Sequence, residues 1–550
     1  MHSILPKFDV RCSMFNVRCS MFNVRCSMFN VQSLRVLLAA CFILSFCTAW
    51  TPNWFDPVVV ITNMKVTARD AKTAAVTFDV SWDDSWRHDI NHDAAWLFFK
   101  VKPEGATEWQ PVRLAADRVK NPTGYSHAKI SPLPATEDGL LLYHLQGRKD
   151  FSKPGGLERY RDFFSSTQYT RAAKRDQPGL ERYRDFFSST QNFTPLEFVV
   201  PDGPDGFTGV FLRRAENGAG LVTTRGVTVL WDLQASKGIT DPAKAQIRAF
   251  GIEMVYVPAG SFYLGSGGTE VNAFYSYSDD PTRSLPYRVT GPGAIPTGRK
   301  PGRLWSGGAS PEDGGELPAS FPNGYAAFYC MKNHITPRQY AAFLNMLPAA
   351  QADERYAGHE RALPTTVGYS GTNGGVKRKG TAPNYTYEFW AGGGRGGAGC
   401  FAICWADGAT YAAWAGLRPM TELELEKAVR GPREPWADEG ASSYWGVREL
   451  SCFKWGAFKG DPQTERPVTV ANATGRAFKG THGLGIPVLP ADWPQADAVG
   501  TGFRCTHYVG TKLDLERVRV SDRIIADLVD PTRIFSHKWR GVRTVPPGID

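Results

Sequence analysis

Apolar and polar positions along this chain follow two periods in succession. Between residues 50 and 250 the apolar residues come in short runs, Val58 to Ile61, Ala75 to Val80, Trp96 to Val101, Val210 to Leu212 and Val227 to Leu230, separated by turn-forming residues. Such runs, rich in Val, Phe and Trp, predict β-strands. Their succession without a helical period predicts an antiparallel sandwich of fibronectin or immunoglobulin type, though without a strand-to-strand disulfide. From Glu253 to Ser266 apolar residues alternate on both sides of Pro258-Ala259-Gly260, which predicts a β-hairpin.

Helical spacing then takes over. Thr336 predicts an N-cap with Pro337 in the first turn, and Tyr340, Phe343 and Leu344 form the face to be buried. Residues Cys404 to Gly431 predict two short helices joined by a tight turn. Asp407 is the expected cap of the first, and Gly416 the left-handed residue after its end. Thr421 and Glu424 have the spacing of a capping box, and Leu425, Ala428 and Val429 give the second helix one apolar face.

Two stretches do not read as packed structure. Residues Val10 to Phe29 repeat Val-Arg-Cys-Ser-Met-Phe-Asn with no consistent apolar face, so residues 1–27 read as translated repetitive sequence upstream of the start. Met28 is then the expected initiator of a secretory signal over 28–49, with Arg35 before the apolar Val36 to Phe46 and Cys47-Thr48-Ala49 as a cleavage site. A lipid anchor at Cys47 is the rival reading, against which Phe46 is too large. The dodecapeptide Leu157 to Gln168 recurs word for word at Leu180 to Gln191, which places a duplicated, exposed insertion near 153–192.

Composition adds limits. The net charge of +9 draws on arginines of these repeats, and no nucleic-acid module is present, so a nucleic-acid partner is not expected. No stable membrane span is expected once the signal is removed, and the chain is expected to be exported to a periplasm, cell surface or medium. Of ten cysteines five belong to the leader, leaving Cys330, Cys400, Cys404, Cys452 and Cys505, an odd number. Cys400 and Cys404 have the spacing of a bridge or of two buried small hydrophobes. His88 and His92, beside Asp93, would suit a metal on a helix, but Asp83, Asp84 and Asn91 place them in a loop.

The run Trp414-Ala415-Gly416-Leu417-Arg418-Pro419-Met420-Thr421-Glu422-Leu423-Glu424-Leu425-Glu426-Lys427-Ala428-Val429-Arg430-Gly431 resembles a segment of the formylglycine-generating enzyme family, the sulfatase-modifying factors. Met254 to Gly265, Tyr329 to Leu347 and Lys538 to Arg543 are similar to further landmarks of that family. The resemblance implies an α+β sulfatase-modifying-factor domain of C-type-lectin-like fold over 251–550, after the all-β sandwich of 50–250. It also implies oxidation of a client cysteine by oxygen, with copper held between two thiolates five positions apart and calcium on a neighbouring strand.

Copper(I) requires those soft thiolates. Aligned on Arg504 and Tyr508, the two positions fall on Gly510 and Leu515, and neither is a thiol. Cys505 and His507 are the nearest catalytic candidates. The calcium-binding acidic position falls on Gly456 when 446–457 is read without gaps, or on Glu465 across a short insertion. Ligands for copper and calcium are therefore unmatched. The favoured function is a non-catalytic binding module whose cleft holds a peptide, protein or glycan, with Arg504, Tyr508, Arg519 and Trp455 as candidate cleft residues. The alternative is an oxidoreductase of the formylglycine-generating type. Arg519 and Arg523 are also expected to pair with acidic residues of the core.

Overall fold

The computed structural model describes residues 59–115, 196–201, 207–280, 285–356, 376–389, 403–437, 465–504, 508–509, 512–513, 519–533 and 538–545. All belong to one unit, Phe55–Asp550. The repeated leader, the signal segment, the insertion near 153–192, Cys505, His507 and Trp455 lie outside the described residues.

Strands β1 (Val60–Ala68), β2 (Thr73–Arg87) and β7 (Gly218–Asp232) form an antiparallel sheet in the order β1-β2-β7. A second sheet has eight strands. Its path is β18 (Arg418–Pro419), β21 (Gly541–Thr544), β15 (Phe328–Met331), β8 (Gln246–Val257), β3 (Asp93–Lys102), β6 (Gly209–Arg214) and β5 (Leu196–Val199), with β4 (Gln110–Pro111) on β3. Small two-stranded pairs complete the β structure. These are β9 (Phe262–Leu264) with β11 (Tyr287–Val289), β10 (Phe274–Ser276) with β13 (Leu304–Ser306), β12 (Ile295–Pro296) with β14 (Glu316–Leu317), β16 (Val376–Thr381) with β17 (Asn384–Phe389), and β19 (Tyr508–Val509) with β20 (Lys512–Leu513).

The residues of β3 explain why the large sheet lies at the centre. Side chains alternate across a strand, so Ala94, Trp96 and Phe98 enter one core while Ala95, Leu97, Phe99 and Val101 enter another. A strand covered on both faces needs apolar residues at consecutive positions, and Ala-Ala-Trp-Leu-Phe-Phe meets that need. The second core is shared with Val76, Phe78 and Trp82 of β2 and Val227, Val229 and Trp231 of β7, so the three-stranded sheet covers this end. Further along, Val255, Val257, Phe328, Cys330 and Val542 meet Leu425, Ala428 and Val429 of helix α4 (Glu422–Arg430). The opposite face is covered by α1 (Pro337–Leu344) and α3 (Trp405–Ala415). The remaining helices are α2 (Ala349–Arg355) and α5 (Ala473–Arg476).

This architecture corrects the expected fold class. Strands hold 38% of the described residues and helices 13%, so the chain is mostly β and is not clearly α+β, and nothing in its strand order supports a C-type-lectin-like domain. The expected boundary between 250 and 251 falls inside β8, which pairs with β3 from Asp93↔Val255 to Lys102↔Gln246 and with β15 on its other edge. Because both edges of β8 are occupied, β9 cannot fold back onto it. The expected hairpin is replaced by β9 paired with β11.

Local punctuation is as expected at the starts of α1 and α4 and at the end of α3. Thr336 caps α1 and Thr421 caps α4, each in a capping box with the residue three positions on. Gly416 ends α3 with φ of 73°. The cap of α3 is Cys404 rather than Asp407, which sits three residues later and accepts the Cys404 N–H at 3.1 Å. Gly408 of α3 is required for another reason: a Cβ there would lie 2.1 Å from Cγ of Trp539.

Candidate functional site

Helix α4 carries Glu422, Glu424 and Glu426, all buried, and each meets an arginine. Glu422 accepts from Arg504 at 2.9 Å, from Arg523 Nε at 2.8 Å and from the Val470 N–H at 2.8 Å. Glu426 accepts from Arg504 at 2.7 Å, from Arg430 at 3.1 Å and from the Gly265 N–H at 2.8 Å. Glu424 closes the capping box and takes both terminal nitrogens of Arg418, at 2.6 and 2.9 Å. Burial pushes the Glu422 carboxyl up, but Arg523 and Arg504 outweigh it and hold the group below its ordinary range.

Arg504, expected in a ligand cleft, is therefore spent internally. Besides its two glutamates it donates to the Asp522 carbonyl at 3.0 Å and the Val520 carbonyl at 2.6 Å, so four of its five N–H groups are directed at acceptors within the chain. Arg523 does pair with a core acid, Glu422, and its guanidinium lies 3.7 Å over the Phe274 ring. Arg519 is half-buried and donates to Thr269 Oγ1 at 3.3 Å. The backbone of Tyr508 lies in β19.

Glu465, the alternative calcium ligand, is occupied as well. Its Oε1 accepts from His334 Nε2 at 2.8 Å and lies 3.4 Å from Arg540 Nε. Because a carboxylate only accepts, Nε2 of His334 carries the proton. Burial pushes the Glu465 carboxyl up, but His334 and Arg540 prevail and bring it down to about 2. His92 is likewise used inside the protein, with Nε2 2.8 Å from the Tyr329 hydroxyl and 3.2 Å from Arg213, while Asp93 meets Lys332 at 3.3 Å. His88 to Asn91 form a turn, as expected. Among the described residues no group of three or more His, Cys, Asp or Glu is arranged to hold a metal ion.

The two thiols among the described residues do not fit copper either. Cys330 lies in β15 and Cys404 at the start of α3; both are free and buried, and burial pushes each up to about 12. A desolvated thiol of that kind is neither a nucleophile nor a soft-metal ligand at neutral pH.

One corner has unused donors. Glu465 and Arg504 pair as an antiparallel bridge, as do Val468 and Thr501, so Arg466 stands opposite Phe503 in the same register. Side chains alternate, so Arg466 points away from the saturated network. Its guanidinium lies 4.7 Å from the Phe503 ring and Nη2 donates to the Asp530 carbonyl. Nε and Nη1 are buried with no hydrogen-bond partner among the described residues. Burial pushes this guanidinium down to about 10, a fall offset in part by Cys404, Asp530 and Asp407. Asp407 itself is claimed by Arg533 at 2.7 Å and by Arg355 at 3.6 Å. The indole N–H of Trp539, packed against Gly408 of α3, is a second buried donor without a partner among the described residues.

No protein-family model matches the chain, and no curated protein matches it. Sequence reasoning missed Arg466, Glu422 and Glu426 as buried charges. The alternating acids Glu422, Glu424 and Glu426 beside the apolar face of α4 were the available signal, since a helix so placed cannot turn all three to solvent.

Proposed function

We propose that this chain is an exported binding protein, a divergent relative of the sulfatase-modifying factors, that holds a peptide, protein or glycan ligand and does not oxidise cysteine. One observation carries the reading: Cys330 and Cys404 are buried, desolvated thiols on separate elements, while Gly510 and Leu515 stand where the resemblance places the copper thiolates. Oxidation of a client cysteine by oxygen requires a metal-bound thiolate pair, and these residues do not supply one. A binding role asks only for a rigid frame with donors left over. The saturated arginine and glutamate network around α4 supplies the frame, and Arg466 retains donors. No helix among the described residues is long and apolar enough to cross a membrane.

The test is to load the purified full chain with Cu(I) and follow oxygen consumption in the presence of a cysteine-containing peptide. The expected result is no turnover above free copper. Stoichiometric copper binding with formation of the peptide aldehyde would overturn the reading.

A further inference from the structure

We propose that Arg466, opposite Phe503 and against the Asp530 carbonyl, holds an oxyanion, a carboxylate or a sulfate or phosphate group, through its unpartnered Nε and Nη1. The proposal rests on the binding reading above and names the chemistry of the group bound. A guanidinium removed from water without acceptors is unfavourable, and native proteins rarely leave one so. Neighbouring cations have their acceptors: Arg533 and Arg355 share Asp407, and Arg504, Arg523 and Arg430 share Glu422 and Glu426. No carboxylate touches Arg466 among the described residues, although it is only 4% exposed.

The surroundings specify how the group is presented. Phe503 stands opposite Arg466 across the bridge and covers one face of the guanidinium plane, which leaves hydrogen bonding to the edges. The Asp530 carbonyl takes only Nη2. Nε and Nη1 are then the two donors left for a planar or tetrahedral oxyanion, and a guanidinium suits such groups better than an ammonium does.

The experiment uses the full chain and titrates sodium acetate, sulfate and phosphate by calorimetry at ionic strength held constant with sodium chloride. Acetate reports the carboxylate arm, and sulfate and phosphate the tetrahedral arm. Binding of at least one of the three is expected with one site per chain. Arg466→Met should weaken it about tenfold or more, and Arg466→Lys should give an intermediate affinity. Arg466→Met should also be at least as stable as the wild type in chloride, because it replaces an unpaired buried charge with an apolar side chain of similar length. The proposal is overturned if the wild type binds none of the three anions, or if Arg466→Met binds with unchanged affinity. Should Arg466→Met fail to fold, unchanged affinity in Arg466→Lys overturns it alone. Neither result alters the copper and oxygen assay, so failure here is distinguishable from failure of the binding reading.

Discussion

Removing the charge of Glu465 should take away one defined share of the acid sensitivity of this protein, leaving the share that Glu422 contributes. Glu465 faces His334 and Arg540, with the buried Cys330 thiol nearby, and its carboxyl is brought from 4.5 to about 2. A folded-state value below the unfolded one means the stabilisation is fully present above about pH 4.5 and is lost as the pH falls through about 2. At about 1.4 kcal/mol per pH unit the fall is worth about 3 kcal/mol. Glu465→Gln keeps the shape and removes the charge. Urea unfolding of wild type and variant at pH 7, 4.5, 3 and 2 should give a gap of about 3 kcal/mol at pH 7 that narrows on acidification and is mostly closed near pH 2. At pH 2 the wild-type side chain is itself about half neutral, so most of the difference between the two proteins has been lost. A gap of constant size from pH 7 to pH 2 would refute the electrostatic argument and assign the effect to packing.

Arg504→Met should destabilise the protein by about 3 kcal/mol in the same assay, because it removes the cation that Glu422 and Glu426 share and leaves each buried carboxylate with one arginine; a near-neutral result would return Arg504 to the ligand-cleft role its sequence suggested. Gly408→Ala should lower stability by about 1–3 kcal/mol and alter the tryptophan emission, since the new Cβ meets the Trp539 indole at 2.1 Å. Gly293→Ala, with nothing within 4 Å, is the control and should change stability by less than about 0.5 kcal/mol. Iodoacetamide at pH 8 should leave Cys330 and Cys404 unlabelled in the native protein and label both in urea, as read by peptide mass.

What the sequence made legible was local. A cap is decided by residues three apart, so Thr336, Thr421 and Gly416 could be read without knowing what surrounds them. The strands over residues 75–80, 96–101, 210–212 and 227–230 were legible for the same reason. Their partners were not. Pairing β3 with β8 joins residues about 150 positions apart, and nothing in Glu253 to Ser266 records that both edges of β8 are taken. The same holds for charge. Arg504 looks like a surface or ligand-binding cation until Glu422 and Glu426, some 80 residues earlier, are placed against it. Lys100, in an otherwise apolar strand, is accommodated only because the Trp414 and Gly485 carbonyls accept its protons at 2.6 and 2.5 Å.

The bridge between Glu465 and Arg504 separates two electrostatic settings. On one side each charged group of the network has found an opposite charge within the protein, which fixes α4, β9 and the segment 519–523 against one another. On the other, one register step away, Arg466 and Phe503 form a cross-strand pair whose cation is buried and incompletely met. A network with all its charges paired resists change, because loss of any member strands the others. A lone guanidinium carries no such constraint, since replacing it costs the fold little. The unmet Nε and Nη1 of Arg466 are therefore the place in this corner where an added acceptor would change stability most, and the anion titrations of the wild type and Arg466→Met measure that change.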